Sequence, residues 1–496
     1  MSSTSTPIEA YVPALPPGKT AVTVVADFLR YLFKCTETYI QEKEPNGESL
    51  WSSLQNQIDF ILTHPNGWEG AQQSMMREAA VMSGLIPDTD EGHSQLSFVT
   101  EGEASLHFAV RNGFPKSDMK PGEGVLILDA GGGTIDTTTY AKRADGWYEE
   151  IAAPQCHFNG SIFVTLAAQQ YLNDLLADSR FLDDLDHIVD CFDKTTKPRF
   201  SNPEEMQFVK FGKTKDNDET CNIRYGQLKL AGKEVASFFE PAVRCVLDAI
   251  AEQQKQCKLP YIHVVLVGGF SASDYLFQQL TKHLEPKGCQ VLRPDSYVSK
   301  ACSDGAISFY LDHFVQSRVS KMTYGCFANV LYRQDDPEHY ARESSAFITL
   351  AGEIRLPGAF NIILPKGVQV SEATEFRSSY CQLFKDKAEF ATFTSQVWSY
   401  RGHLAEPRWR DFDSASYSLL CMIKVDVTNI LKNTKATRQS STQGKFYRLE
   451  YDLVLIFGCT EFKAQIAWKE KGMEKRSPAK ILYNYHAPAT PDTSSG

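Results

Sequence analysis

The chain has 496 residues, of which 42% are hydrophobic and 23% charged, and its formal net charge is −10 at pH 7. This composition is typical of a globular protein and leaves room for two or three domains. The negative charge argues against nucleic acid as a partner. Twelve scattered cysteines form no Cys-X-X-Cys motif, which favours reduced thiols and a cytoplasmic protein. No apolar run has the length of a membrane span, so a membrane is not an expected partner either.

The chain begins with a polar segment that we do not expect to fold. Residues 1–19 are rich in Ser, Thr and Pro, a composition typical of disorder. Gly18-Lys19-Thr20 looks like the end of a Walker A phosphate loop, but that loop needs a strand before it and a glycine where Pro13 stands. We therefore interpret Thr20 as the cap of a helix.

Strands and helices alternate after this helix, which predicts an α/β lobe. The predicted elements are a strand at Asp59–Thr63, a turn at His64–Gly67, a helix at Gly70–Met82 and a strand at Leu96–Thr100. Glu101 follows the last strand directly, and Glu103 is the competing acidic position. A carboxylate at the start of a helix also has a purely structural role, because it interacts favourably with the helix dipole.

The most informative stretch, Val125–Tyr140, predicts two strands joined by a glycine turn. In Gly131–Gly133 no Cβ would separate an anion from the backbone N–H groups. Asp129 and Asp136 bracket the turn and would hold a hydrated Mg²⁺, and Thr134 adds a hydroxyl. The pattern favours a phosphate site over the alternative, a plain hairpin turn with two solvated aspartates.

Residues 161–255 are predicted to be mainly helical, with a strand-like interruption at Phe208–Tyr225. Gly160 stands directly before the first of these helices. Asp193 and Lys197 lie four residues apart and therefore on one helix face. Taken alone, this spacing is explained more simply by an ordinary surface ion pair.

A second glycine segment follows a second buried strand. Tyr261–Val267 is almost entirely apolar, as expected for a strand that is covered on both faces. Gly268-Gly269-Phe270-Ser271 then leads into a helix. Ligands of open α/β sheets bind at the carboxyl ends of strands, which is where these residues fall. A tight strand–helix turn without a ligand is the alternative.

The segment Asp129-Ala130-Gly131-Gly132-Gly133-Thr134-Ile135-Asp136 resembles the second phosphate-binding hairpin of the actin-like ATPase superfamily. It is most similar to a divergent, fungal-type branch of the seventy-kilodalton heat-shock proteins, and Gly268–Ser271 resembles the adenosine motif of that superfamily. The resemblance implies a two-lobed, actin-like and ribonuclease-H-like ATPase domain of the α/β class. It also implies that ATP or ADP binds with Mg²⁺ and that hydrolysis drives movement of the lobes.

The resemblance further implies a role for each matching residue. Asp129 and Asp136 would hold the metal through water, and Glu101 would position the attacking water. The nucleotide would be cradled by Gly131, Gly132, Gly133 and Thr134, by Gly160, by Asp193 and Lys197 beside adenine, and by Gly268, Gly269, Phe270 and Ser271. Ala301–Ile307 resembles the closing helix, whose Gly305-Ala306 pair packs between the lobes.

From Ser317 the pattern changes to β-rich segments separated by turns, namely Ala346–Leu350, Phe360–Leu364, Leu419–Val427 and Tyr447–Phe457. In divergent heat-shock-like ATPases a β domain replaces the usual peptide-binding module, so client polypeptides or co-factors are the expected partners. The predicted division of the chain is a disordered N-terminus 1–19, an incomplete first lobe 20–124, a second lobe 125–316, a β-rich C-terminal domain 317–485 and a disordered tail 486–496.

The sequence departs from the superfamily pattern at one point. The superfamily carries a first phosphate hairpin of the form Asp-X-Gly-Thr before the helix that starts here at Thr20, and no such motif occurs. Its absence is expected to slow phosphoryl transfer by orders of magnitude and to leave a sheet edge at Phe60–Thr63 prone to association. The first hypothesis is therefore a chaperone-like ATPase, and the second is a non-catalytic interaction protein that keeps the fold. A sugar-kinase-like phosphotransferase is a third hypothesis, for which the sequence offers no substrate-binding motif.

Overall fold

The computed structural model describes residues 14–68, 70–112, 119–257, 261–294, 298–312, 315–371, 374–386, 392–426, 436–438, 445–457, 462–470 and 472–477. The predicted disordered tail 486–496 and residues 1–13 of the predicted disordered N-terminus lie outside these ranges. The chain divides into two compact units, residues 1–68 with 75–316 and residues 69–74 with 317–496. None of the helices in the described ranges is both long and apolar enough to cross a membrane.

The elements before residue 313 are both helices and strands. The helices are α1 (Ala21–Lys43), α2 (Gly47–Leu54), α3 (Gly70–Ser83), α4 (Asp90–Ser94), α5 (Glu101–Arg111), α6 (Ser161–Leu175), α7 (Leu185–Cys191), α8 (Lys197–Arg199), α9 (Gly232–Gln256), α10 (Asp274–Leu284) and α11 (Ala301–Asp312). The strands are β1 (Phe60–His64), β2 (Leu96–Thr100), β3 (Gly124–Ala130), β4 (Ile135–Lys142), β5 (Tyr148–Glu150), β6 (Gln155–His157), β7 (Gln207–Lys210), β8 (Ile223–Arg224), β9 (Gln227–Leu230), β10 (Tyr261–Val267) and β11 (Gln290–Leu292).

This part of the chain folds largely as its pattern predicts. α1 begins after Thr20, whose Oγ1 accepts a hydrogen bond from the N–H of Thr23 at 3.2 Å. β1 and β2 confirm the two strands predicted before Glu101, and α3 ends one residue beyond the helix predicted at Gly70–Met82. The predicted interruption at 208–225 is a small antiparallel sheet in the order β7-β9-β8.

The central sheet of the first unit places β10, β3 and β4 side by side. β10 runs parallel to β3, with Val267 paired with Asp129, and β3 runs antiparallel to β4, with Asp129 paired with Asp136. β3 is buried along its whole length because both of its faces are covered. Leu126 joins a core cluster with residues of α6, α7, α9 and α10, whereas Val125 joins a second cluster with residues of α5 and α11. Because alternate side chains of β3 enter two different buried clusters, nearly all of its residues are apolar.

β1 and β2 form a separate two-stranded parallel sheet, in which His64 pairs with Thr100 at the carboxyl ends. Its core contains Ala80 of α3 and Phe98 of β2, with Leu29 of α1 packed against it. Because both strands end at the same edge, the turn after β1 lies beside the start of α5.

The elements from residue 315 onward are mostly strands. They are β12 (Val315–Val319), β13 (Thr323–Leu331), β14 (Phe347–Ile348), β15 (Ile354–Leu364), β16 (Gln369–Ser371), β17 (Glu375–Phe384), β18 (Thr392–Tyr400), β19 (Tyr417–Asp426), β20 (Thr437–Arg438), β21 (Lys445–Phe457), β22 (Phe462–Glu470) and β23 (Met473–Arg476), with one short α-helix, α12 (Pro337–Tyr340), in the described residues. Two sheets have the orders β14-β15-β13-β18-β19 and β17-β21-β22-β23. Cys326 and Ile423 of the first sheet share one buried cluster with Leu453 and Ile466 of the second.

Candidate functional site

The turn between β3 and β4 is open toward solvent. The N–H of Gly131 donates to the carbonyl oxygen of Thr134 at 2.9 Å and closes the turn. At Gly132 and Gly133 an added Cβ would meet no atom within 4 Å, and neither glycine has a positive φ. The local backbone therefore does not require glycine at these two positions. Since neither N–H has a hydrogen-bond acceptor in the described residues, the turn offers two free donors to an anion.

Gly160 lies directly against this turn. The N–H groups of Gly160, Ser161 and Ile162 donate to the carbonyl oxygens of Gly133, Gly131 and Gly132 at 3.2, 3.1 and 2.9 Å, respectively. A Cβ on Gly160 would lie 2.5 Å from the Gly132 oxygen, so glycine permits this close approach. The positive end of the α6 dipole therefore points at the turn.

The second glycine segment lies beside the first because β10 is parallel to β3. Gly268 has a φ of +87°, and a Cβ there would lie 2.2 Å from Oδ1 of Asp129. Gly269 is exposed, with open space on its Cβ side. Phe270 is buried in the core cluster, and the Ser271 hydroxyl, which is fully buried, donates to the carbonyl oxygen of Val267 at 2.5 Å. The surface that this loop presents to a ligand is thus the backbone at Gly269.

Three carboxyl groups gather behind the turn. Asp129 is 4% exposed, and its Oδ2 accepts hydrogen bonds from Ser105 Oγ at 3.0 Å and Cys302 Sγ at 3.1 Å. The ligand atoms of Glu101, Asp129 and Cys302 all lie within 4.8 Å of one another. Glu103, the competing acidic residue, is buried in α5 and is not part of this group.

Asp136 completes the set from the neighbouring strand. It is 1% exposed, and its Oδ1 accepts the backbone N–H of Asn66 at 2.7 Å. Its Oδ2 lies 3.6 Å from Cys156 Sγ, a weak donor. Thr134, predicted at the rim of the turn, also donates a side-chain hydrogen bond to this carboxylate.

The pKa values of these three carboxyl groups are raised above their ordinary values. Burial, followed by the charges of Asp129 and Asp136, raises the pKa of Glu101 to about 8. Burial raises the pKa of Asp136 to about 6, against the opposing hydrogen bonds from Asn66 and Thr134, and burial also raises the pKa of Asp129. Among the residues that the structure describes, no lysine, arginine or histidine forms an ion pair with the three. Such a set of hard oxygen donors fits a hydrated divalent cation such as Mg²⁺.

Asp193 and Lys197 lie at a π-helical turn, Phe192–Thr196, between α7 and α8. Lys197 donates to the Asp193 carboxylate, to Thr165 Oγ1 at 2.9 Å and to the carbonyl oxygen of Ser161 at 3.2 Å. Burial alone would raise the pKa of Asp193, but the hydrogen bonds from Lys197 and Thr165 outweigh it and lower that pKa. The pair is therefore more enclosed than a plain surface ion pair, and Lys197 reaches the helix start that touches the glycine turn.

Sequence reasoning missed four residues around the carboxylates, namely Asn66, Ser105, Cys156 and Cys302. No motif singles them out, since each acts through a side chain or amide brought in from a distant part of the chain.

The helix predicted at Ala301–Ile307 packs closely against α5, because a Cβ on Gly305 would lie 1.8 Å from the Ala104 oxygen. A wide groove of about 1290 Å³ runs along α9, but none of the predicted site residues lines it.

Comparison with known proteins finds relatives at low identity. The chain is 23% identical over 445 residues to heat shock 70 kDa protein 12B of Homo sapiens, covering 73% of this chain and 63% of that protein. It is 22% identical over 361 residues to heat shock 70 kDa protein 12A of Mus musculus, covering 57% of this chain and 52% of the relative. The chain is thus distantly similar to two heat shock 70 kDa proteins. It spans less than two thirds of the length of these relatives, and no family model matches it.

Proposed function

We propose that this heat-shock-70-like protein binds ATP or ADP together with Mg²⁺ at the glycine turn. The observation that carries the proposal is the juxtaposition of three carboxyl groups, Glu101, Asp129 and Asp136, with an open glycine turn. Within the described part of the chain, no basic side chain pairs with these carboxyl groups, and the N–H groups of Gly132 and Gly133 have no acceptor. A cation between carboxylates and phosphates would satisfy both sides.

Different residues would contact the phosphates, the nucleoside and the metal. The amides of Gly132 and Gly133 would bind phosphate oxygens, and the backbone at Gly269 would lie along the nucleoside. Asp129 and Asp136 would accept hydrogen bonds from the hydration shell of the metal. The metal supplies positive charge against the phosphates when it is bound. Glu101 would then lose its proton and orient a water molecule.

The relatives suggest a wider role for the whole protein. We propose a chaperone-like function in which nucleotide binding and hydrolysis accompany movement of two lobes, residues 20–124 and 125–316. The β-rich residues 317–485 would contact client polypeptides or co-factors. A cytoplasmic location fits the scattered thiols and stays a prediction.

A second candidate function is nucleotide binding without turnover, in a protein that uses the fold for interactions. One observation favours it. With a pKa of about 8, Glu101 carries a proton at neutral pH and cannot act as a base until a cation lowers that pKa.

Equilibrium binding of ATP and ADP, with and without Mg²⁺, tests the proposal on the full chain. We expect Mg²⁺-dependent binding by the wild type and its loss in Asp129→Asn, which keeps the shape of the side chain but removes the charge. Asp145→Asn, on an exposed turn where Asp145 binds Arg143, is the control and should bind normally. A folded wild type that binds no nucleotide at millimolar concentration would contradict the proposal. Phosphate release by the wild type then separates the ATPase from the non-catalytic candidate.

A further inference from the structure

Asn66 links two of the three carboxyl groups. It lies in the turn after β1 and is fully buried, at 0% exposure. Its backbone N–H donates to Oδ1 of Asp136 at 2.7 Å, and its side-chain Oδ1 accepts the N–H of Gly102 at 3.2 Å. Gly102 directly follows Glu101 in the first turn of α5. One residue therefore contacts both a carboxylate of the site and the helix that presents another.

The side-chain nitrogen of Asn66 bonds strand β4. Nδ2 donates to Thr138 Oγ1 at 2.8 Å and lies 3.4 Å from the Thr137 carbonyl oxygen. Thr138 is two residues beyond Asp136 on β4 and so lies on the same face of the strand. A Cβ on Gly102 would lie 2.2 Å from Thr138 Oγ1, so α5 and β4 approach as closely as glycine allows.

These bonds set the direction of the Asp136 carboxylate. Asn66 holds Oδ1 with a bond of 2.7 Å, whereas the thiol of Cys156, a weak donor, lies 3.6 Å from Oδ2. Thr134 also donates to this carboxylate. Because the thiol contact is the weaker of the first two, Oδ2 is the oxygen at which a water molecule of a hydrated cation would more easily replace a donor. The side-chain amide is bonded at both of its polar atoms and cannot rotate without losing those bonds, and the backbone N–H of the same residue holds Asp136. A displacement of Asp136 would therefore reach Gly102 through Asn66.

We propose that Asn66 is a positioning residue that couples cation binding at Asp136 to the placement of Glu101. This inference rests on the proposed function, because it needs a cation at the carboxylates. Residues that orient the groups around a metal in this way typically change metal affinity by about 10- to 100-fold when they are removed.

The opposite face of β4 supplies a matched control. Thr139 Oγ1 donates to Oε1 of Gln253 at 2.7 Å, and Gln253 Nε2 donates to the Ala153 carbonyl oxygen at 2.7 Å. Gln253 is also 0% exposed. This amide is as buried as Asn66 and bonds the adjacent threonine, but its partners in the described residues include no carboxylate.

The experiment compares Thr138→Val with Thr139→Val, and Asn66→Ala with Gln253→Ala, in the full chain. Three quantities are measured: stability to urea, the Mg²⁺ concentration that half-maximally enhances ATP binding, and the Kd of Mn²⁺ without nucleotide by electron paramagnetic resonance. We expect all four variants to lose stability. Only Thr138→Val and Asn66→Ala should weaken cation binding, by about tenfold or more.

A double mutant tests the link to Glu101. In a Glu101→Gln background, the effect of Thr138→Val on the Mn²⁺ Kd should be smaller than in the wild type by about twofold or more. Strict additivity would overturn the coupling. Equal shifts in Thr138→Val and Thr139→Val, or no shift in either while the wild type binds the cation, would reduce Asn66 to a structural residue. The two valine variants keep the test decisive if an alanine variant does not fold.

Failure of the proposed function gives a different result. In that case the folded wild type would bind neither Mg²⁺–ATP nor Mn²⁺, and the positioning role would be wrong together with it.

Discussion

Two kinds of glycine surround the carboxyl groups, and they differ in what a side chain would meet. At Gly132 and Gly133 an added Cβ meets nothing within 4 Å. At Gly268 it would lie 2.2 Å from Oδ1 of Asp129, and at Gly160 it would lie 2.5 Å from the Gly132 oxygen. The first kind leaves space on the solvent side, whereas the second allows two backbone segments to touch.

The difference indicates that glycine serves ligand binding at the first kind of position and folding at the second. A glycine that the backbone needs explains itself, because any side chain would clash or strain the chain. A glycine in open space with an ordinary φ has no such explanation, so the close approach of a ligand is the better account of it. The motif alone does not distinguish the two kinds, and substitutions at each kind do.

The largest expected effect is on folding, at Gly268. Gly268→Val should cost about 3 kcal/mol or more in the free energy of unfolding, because the side chain overlaps Asp129 and the φ of +87° strains any L-residue. Gly269→Val is the control, since its Cβ would enter open space. Urea unfolding measures both. Equal stability of the two variants would mean that the glycines at this loop are of one kind.

The next effect is on binding, at Gly132. We expect Gly132→Val to have the same midpoint of urea unfolding as the wild type. Its nucleotide affinity should fall by about 100-fold, or about 2.7 kcal/mol, because the isopropyl group occupies the space in front of the Gly132 and Gly133 N–H groups. Isothermal titration with ATP and Mg²⁺ measures it. Gly122→Asn is the control, because Gly122 lies just before β3 at its other end and asparagine tolerates its positive φ. Wild-type affinity in Gly132→Val would remove the glycine turn from the site.

The two central strands and the glycine segments after them could be predicted because their sequence signals are local. β3 and β10 are covered on both faces, so they appear in the sequence as continuous apolar runs, and the glycines follow each run directly. Register then brings the two glycine segments together without further information, since Val267 pairs with Asp129.

The supporting residues do not follow from the sequence, because their partners are distant in the chain. Cys302 and Asp129 are 173 positions apart, and Asn66 and Asp136 are 70 apart. Nothing near Asn66 indicates an amide that bonds both α5 and β4. The π-helical turn was missed for a local reason that is visible only afterwards. Pro198 has no N–H to continue a regular helix, and the Lys197 N–H donates to the Phe192 oxygen five residues back.

The raised pKa values of the carboxyl groups predict that the stability of the protein depends on pH. Because burial and the neighbouring aspartates raise the pKa of Glu101 to about 8 from an ordinary 4.5, the folded protein binds a proton that the unfolded chain releases. Stability from this proton is complete below the unfolded pKa and is lost as pH rises through the folded pKa. We expect urea stability of the ligand-free protein to fall between about pH 5 and pH 8.

Glu101→Gln isolates the contribution of Glu101 to that slope. The amide mimics the protonated carboxyl, so the decline should become shallower between about pH 5 and pH 8, while the part that comes from Asp129 and Asp136, whose pKa values burial also raises, should remain. Glu91→Gln, at a carboxyl on the short helix α4, should leave the slope unchanged. A wild-type slope that persists in Glu101→Gln would show that Glu101 is ionised in the free protein and that its pKa is not raised.

The smallest effect concerns Lys197, which supports the helix start that docks on the glycine turn. Its side chain is 12% exposed and bonds three groups, whereas Lys194 forms the same i,i+4 pair with Asp190 at 68% exposure. Lys197→Gln should cost about 1–2 kcal/mol of stability, and Lys194→Gln at most about 0.5 kcal/mol. Nucleotide affinity decides which kind of residue Lys197 is. If it only holds α6 in place, affinity should fall far less than in Gly132→Val. An affinity loss equal to that of Gly132→Val, with little loss of stability, would instead place its ammonium group on the ligand, as the resemblance implies.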